Sequence, residues 1–181
     1  LGVDTIKFTK ATSSDTITVT STTIAGAKSV TFEAGVTSGK IDTGAGADKV
    51  VFEAAVATGV TIATNSGNDS IQFLKSSAVT DVNSGAGADS IYGAAVVSSG
   101  NISGAAGQDT FLISTLSNAA IYGGDDQDSV KITGSLYGAT VDFGAGAEQL
   151  TLTVGATGSS IAGGAGNDTF VVNTSDLMTS S

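Results

Sequence analysis

The sequence predicts an all-β chain, a right-handed parallel β-roll or β-solenoid of about nine coils with a ~20-residue repeat. Three observations carry that expectation. A single acidic position recurs once per repeat, as Asp48, Asp69, Asp89, Asp109, Asp128, Glu148 and Asp168. A glycine-dense stretch precedes each acid, and an apolar-polar alternation follows it. A near-constant period of this size marks a solenoid, in which each repeat is one coil and stacked neighbours bury a continuous core.

Two residues after the acidic position stand Val50, Ile71, Ile91, Phe111, Val130, Leu150 and Phe170, all apolar. Four after it stand Phe52, Phe73, Gly93, Ile113, Ile132, Leu152 and Val172, and the residue between is mixed or polar. Such period-2 alternation belongs to a strand with one buried face. Seven residues before the acid lies a second column, Ile41, Ile62, Val82, Ile102, Ile121, Val141 and Ile161. Each coil therefore holds two short strands, one on either side of a Gly-Asp turn. Stacking pairs them in parallel, like side chain above like, and the coils at ~4.8 Å spacing build a rod roughly 40 Å tall.

Residues 1–40 are less regular. Asp4 to Phe8, Asp15 to Val19 and Lys28 to Phe32 repeat the strand without most of its glycines and at shorter steps than the later array, which predicts shorter or differently closed coils. Lys28 stands in the acidic position itself. An ammonium cannot replace a carboxylate ligand, so these coils are expected to hold little metal, with Lys28 filling a site with its own charge. Residues 41–172 form the regular array. Its opposite edge runs through small, mostly uncharged turns such as Glu53 to Gly59 and Gly93 to Gly100, so the acids belong to one edge only. Residues 173–181 break the pattern and read as a cap or a lead into a following domain. Leu1 opens in mid-pattern, as expected of a segment of a longer protein.

Composition narrows the function. The net charge is -10, from 17 acids against 7 lysines, a balance that repels phosphate backbones and anionic membranes and suits cations. No stretch approaches the ~20 apolar residues of a membrane-spanning helix. Cys and Pro are absent, so no disulfide staples the coils.

Two residues before the acids stand Gly46, Gly67, Gly87, Gly107, Asp126, Gly146 and Gly166; four before stand Gly44, Asn65, Gly85, Ala105, Gly124, Gly144 and Gly164. Alternating glycine permits positive φ and turns successive carbonyl oxygens to one side. Stacking then sets a carboxylate and several carbonyls of one turn against those of the next, and a column of like charges at that spacing repels. A hard cation between turns removes the repulsion, and a flexible all-oxygen cage is what Ca²⁺ takes. Without His or Cys there is nothing for Zn²⁺ or copper. Gly, Asn and Asp are also ordinary turn residues, and one such turn would be read as no more than that. Seven acids in register, where Asn or Ser would turn equally well, favour calcium, with Asp48, Asp69, Asp89, Asp109, Asp126, Asp128, Glu148 and Asp168 as ligands beside the glycine carbonyls.

Gly163 to Val171 matches in full the nonapeptide G-G-x-G-x-D-x-U-x of the RTX proteins, and Gly123 to Lys131 matches except at Asp126. The other turns keep the acid and the following apolar residue with one or two glycines changed, and Glu148 replaces Asp in one. The chain thus resembles the RTX repeats over residues 40 to 172. The resemblance implies a parallel β-roll with several Ca²⁺ ions in its turns, and type I export of a chain that folds on meeting extracellular calcium. RTX rolls commonly bind metal along both edges; a single motif per coil here implies one dry edge.

Arrays of this kind, rich in Ala, Thr, Ser and Gly, resemble bacterial surface-layer (S-layer) and giant secreted proteins. The expected function is a structural, calcium-binding tile at the cell surface that self-assembles or joins neighbouring domains. Parallel β-helices also host polysaccharide lyases and hydrolases, but a chain without His, Arg, Cys or Trp offers no evident general base or sugar-stacking platform. An ice-binding roll would need a uniform Thr or Asn ladder, which Thr61, Asp81, Asn101, Ala120, Thr140 and Ser160 do not form. The alternative is an adhesin or accessory module for a cell-surface glycan.

Overall fold

The computed structural model describes residues 4–10, 15–18 and 26–173. The tail expected to cap the roll or lead onward lies, from 174, outside the described residues. The chain is an all-β parallel solenoid of about eight turns at ~20-residue spacing, close to the nine coils expected. One sheet stacks Asp4–Phe8, Lys28–Phe32, Lys49–Phe52, Ser70–Phe73, Ser90–Ser98, Thr110–Ser117, Ser129–Ile132, Gln149–Leu152 and Thr169–Val172. The other stacks Asp15–Thr18, Gly39–Asp42, Val60–Ala63, Asp81–Ala86, Asn101–Ala106, Ala120–Asp125, Thr140–Gly146 and Ser160–Ala162. Every pairing is parallel, and the expected columns are in register: Val50, Ile71, Ile91, Phe111, Val130 and Leu150 meet rung by rung, as do Ile41, Ile62, Val82, Ile102, Ile121 and Val141. All of them are buried.

The first coil differs from expectation. Asp4–Phe8 pairs with Lys28–Phe32, whereas Asp15–Thr18, between them in the chain, lies in the opposite sheet against Gly39–Asp42. The short steps from Asp4 to Asp15 and from Asp15 to Lys28 are therefore not two short coils but the two sides of one long coil. Alternation has the same period on both faces of a roll, so it could not assign the strand to a side.

The opposite edge also holds more than small turns. Val36, Val56, Val97, Leu116 and Leu136 are buried there in a third column, apolar except for buried Ser77 between Val56 and Val97, and in the longest strand it follows a register shift between Gly93 and Val96. That shift explains the lone glycine among the apolar residues four after the acid: a Cβ on Gly93 would lie 2.7 Å from Val97 Cγ2, which takes its space. Nearer the N-terminus the column that Gly93 interrupts is aromatic. Phe8, Phe32, Phe52 and Phe73 stack face to face at centroid separations of 4.7, 4.9 and 5.2 Å.

The glycine-rich turns have the expected handedness. Four residues before the acid the backbone is left-handed in every coil of the array: Gly44 at φ 74°, Asn65 at 71°, Gly85 at 103°, Ala105 at 77°, Gly124 at 119°, Gly144 at 90° and Gly164 at 86°. Ala105 takes this conformation against its Cβ, at a cost of about 1–2 kcal/mol. Gly85 could not carry a Cβ at all, because the carbonyl of Asn65 one coil below already occupies that space. Ala105→Gly should therefore stabilise the roll by about 1 kcal/mol, after the entropy lost with glycine. Gly85→Ala should cost about 2 kcal/mol or more. Thermal unfolding compares them; a loss of stability in Ala105→Gly would mean that residue 105 is not left-handed.

Candidate functional site

The acids do not line the outside of the edge. Asp48, Asp69, Asp89, Asp109, Asp128 and Glu148 are each 3% exposed or less, and only Asp168, in the last described coil, is half-buried. The alternation explains this placement: the acid has the same parity as the apolar residues two and four after it, so its side chain faces inward with theirs.

Inside, the carboxylates form a ladder along the stack. The Lys28 amide donates to Asp48 Oδ1 at 2.8 Å, Asp48 to Asp69 at 2.7 Å, Asp69 to Asp89 at 2.7 Å, Asp89 to Asp109 at 2.8 Å and Asp109 to Asp128 at 2.9 Å. Glu148 interrupts it. Both of its carboxylate oxygens are buried without a partner, and the ladder resumes from the Glu148 amide to Asp168 Oδ1 at 3.3 Å. The extra methylene carries the carboxylate past the amide that an Asp reaches.

From Asp69 to Asp128 each rung uses one oxygen and leaves the other. Oδ2 of Asp69, Asp89, Asp109 and Asp128 is buried and unpartnered. These atoms aim at the position five before the acid, where a Cβ on Gly104, Gly123 or Gly163 would overlap Oδ2 of Asp109, Asp128 or Asp168. Thr64 and Ser84 occupy that position in earlier coils, and their hydroxyls offset part of the burial cost of Asp69 and Asp89. A hydroxyl has one proton, however, and the distances give it to carbonyls of the next coil: Thr64 to Ser84 at 2.9 Å and Ser84 to Gly104 at 3.2 Å.

Burial raises the carboxyl pKa values, to about 6 for Asp69 and Asp128 and about 7 for Asp109 and Glu148, with Asp89 raised as well. Desolvation is the largest cause in each case, and the charges of neighbouring rungs add to it for Asp69 and Asp109. The repulsion anticipated from the spacing is therefore secondary to the loss of water. Asp125 and Asp126 are exposed, and the Asp126 charge pushes up both Asp109 and Asp128.

A hard cation fits what these gaps contain. Carbonyls two before the acid point along the stack: Gly46 O at Gly67, Gly67 O at Gly87, Gly87 O at Gly107 and Asp126 O at Gly146, each so close that a Cβ would overlap it. The carbonyls beside the orphaned oxygens are those five before the acid of the next coil: a Cβ on Gly104 would meet both Asp109 Oδ2 and Gly123 O, and one on Gly123 both Asp128 Oδ2 and Phe143 O. Oxygen donors of this kind suit Ca²⁺ rather than Zn²⁺. Among the described residues no three acidic, His or Cys side chains converge on one point. Ligation would thus rest on carbonyls around the carboxylate facing each gap. A cleft of about 410 Å³ opens beside Asp109, Asp128 and Glu148, rimmed by Gln108, Gln127 and Gln149.

The column Thr61, Asp81, Asn101, Ala120, Thr140 and Ser160 on the second sheet is in register but chemically mixed, with Asp81, Asn101 and Ser160 exposed and the others half-buried. Asn101 Nδ2 donates to Asp81 Oδ1 at 3.0 Å. Comparison of the chain with protein-family models, curated proteins and solved structures finds no match.

Without divalent metal, the raised pKa values set the sign of the pH dependence. Protonation favours the folded roll, because the neutral carboxyl is buried at less cost than the carboxylate. This contribution should be fully present at about pH 4, be lost as the pH rises from there through about 6 to 7, and level off once the folded carboxyls have ionised. Melting in chelator at pH 5 and pH 8 measures this; higher stability at pH 8 would mean that the acids are not buried.

Proposed function

We propose that the chain is a structural, calcium-binding module of a secreted, S-layer-like cell-surface protein of the RTX type, with Ca²⁺ seated between stacked Gly-Asp turns. The observation that supports this reading is the column of buried carboxylates, which from Asp69 to Glu148 leaves carboxylate oxygens unpartnered, with backbone carbonyls beside those of Asp109 and Asp128. A roll that buries uncompensated carboxylates is held back from folding at neutral pH, and a divalent ion bound only by the folded state adds its binding free energy to stability. The chain would remain unfolded where calcium is scarce, as type I export requires, and stiffen outside the cell. Catalysis is not proposed. From Asp48 to Asp128 the periodic acids are shielded and accept from backbone amides, and the chain has no His to act as general base.

Asp89→Asn tests the ligand role with opposite signs in two buffers. Asn keeps the Oδ1 acceptor for the Asp69 amide but removes the buried charge. In chelator at pH 8 the variant should be more stable than the parent. In millimolar calcium it should be less stable, by roughly 2–3 kcal/mol, the contribution of one site at about 100 times its Kd. Glu148→Gln should show a smaller loss in calcium, since Glu148 already lies off the ladder. The same ranking in both buffers would sink the calcium reading.

An S-layer role adds assembly. Calcium should drive a longer parent into sheets or filaments, and chelation should release it, as seen by electron microscopy. The amide-rimmed cleft at Gln108, Gln127 and Gln149 favours one second reading, an adhesin or accessory module for a cell-surface glycan. A monodisperse parent at millimolar calcium would favour that reading.

A further inference from the structure

One gap in the ladder differs from the rest, and the difference is a cation. Lys28 is 2% exposed. Its ammonium lies 3.0 Å from Gly26 O, 2.7 Å from Ala45 O, and 3.3 and 3.4 Å from Asp48 Oδ1 and Oδ2. By register, Gly26 is two before Lys28 as Gly46 is two before Asp48. Ala45 is three before Asp48, as Ser66 is before Asp69 and Ala86 before Asp89. These oxygens are therefore local versions of those that recur up the stack. Asp48 is absent from the run of unpartnered carboxylates that begins at Asp69. The gap that holds an ammonium is the gap whose carboxylate is satisfied.

We propose that the Lys28 ammonium occupies the cation position of its gap, making the N-terminal coils a metal-independent start for the roll and masking a latent divalent-cation site. The proposal rests on the calcium reading in taking the remaining gaps as metal sites. A buried ammonium is tolerated only when its hydrogen bonds are met and its charge is paired. Four oxygen contacts do both here. The same coils carry the face-to-face stack of Phe8, Phe32, Phe52 and Phe73, closer than the 6.2 Å of Phe143 and Phe170 in later coils, where this column continues through Gly93 and Ile113. The coils from Lys28 to Phe52 thus have neutralised charge and an aromatic core of their own. Removing the amine leaves Gly26 O, Ala45 O and both Asp48 oxygens, four donors that water can complete to the six to eight of Ca²⁺.

Two measurements test this, with CaCl₂ as the probe. Hydrogen exchange of the parent chain in chelator should leave amides of 28–52 protected about tenfold or more over those of 69–150, and calcium should close the difference. Uniform protection, or its loss at 28–52 first, would overturn the metal-independent start whether or not any variant folds. Native mass spectrometry then counts calcium on the parent, Lys28→Ala and Lys28→Met. Lys28→Ala should bind one ion more than the parent and recover in calcium the protection it loses in chelator. Lys28→Met, which fills the space without charge, should gain no ion. If the parent binds calcium and Lys28→Ala binds the same number, Lys28 is a plain buried ion pair; the inference falls and the calcium reading stands. Calcium on neither overturns both. Calcium on Lys28→Ala alone supports the latent site and removes the calcium reading of the other gaps.

Discussion

The structure depends on a carboxylate that faces inward between two coils. One oxygen accepts the amide of the coil below, from Asp48 through Asp128, and so helps fix the stacking of each turn on the last. From Asp69 to Asp128 the other oxygen is taken out of water, and only at Asp69 and Asp89 does a nearby hydroxyl, of Thr64 or Ser84, offset part of that cost. The hydrogen bond favours the stacked state and the desolvated oxygen opposes it, so the balance shifts with pH and with any cation that enters the gap. Around this feature the remaining sequence choices fall into place. Left-handed glycines turn the backbone toward the next coil, and the position five before the acid stays small or hydroxylated in most coils to leave room for Oδ2. Phe143, at that position in the Glu148 coil, is the exception, and there the acid itself has changed.

Most of the fold is legible because a solenoid writes each structural requirement once per coil. Both apolar columns, the strand pairings and the positive φ four before each acid follow from residues such as Ile62, Val82 and Gly85 recurring in phase. What escapes the sequence has physical reasons. Asp15–Thr18 alternates identically to a strand of the other sheet, so pattern alone divides the first coil in two. Val36, Val56 and Val97 stand eight after the acidic position but Leu116 only seven, across the register shift near Gly93, and Ser77 takes the place between Val56 and Val97, so the third column is hidden among small turn residues. The inward direction of the acids is available from parity, since Asp69 and Ile71 must share a face, but charge invites placement on the surface. The amide ladder could not be foreseen, because it depends on the height of each carboxylate relative to the coil below.

Lys28 and Glu148 show how far the column tolerates change. At Lys28 a cation replaces the acid, donates its own amide to Asp48 and supplies the charge that the gap lacks. At Glu148 the acid persists but overshoots, and two oxygens rather than one are stranded. On the proposed reading the stack is graded, self-sufficient near Lys28 and increasingly reliant on calcium toward Asp128 and Glu148, where Asp126 adds a further charge. Such grading would suit a chain that must stay open during export and close from one end once outside.

The most direct measurement is anomalous scattering from crystals of the chain grown in calcium. A row of peaks is expected beside Oδ2 of Asp69, Asp89, Asp109 and Asp128, spaced by the ~4.8 Å of stacked coils, with the Lys28 ammonium and no peak beside Asp48. An edge without peaks, its carboxyls met by water or by protons, would contradict a calcium-built roll.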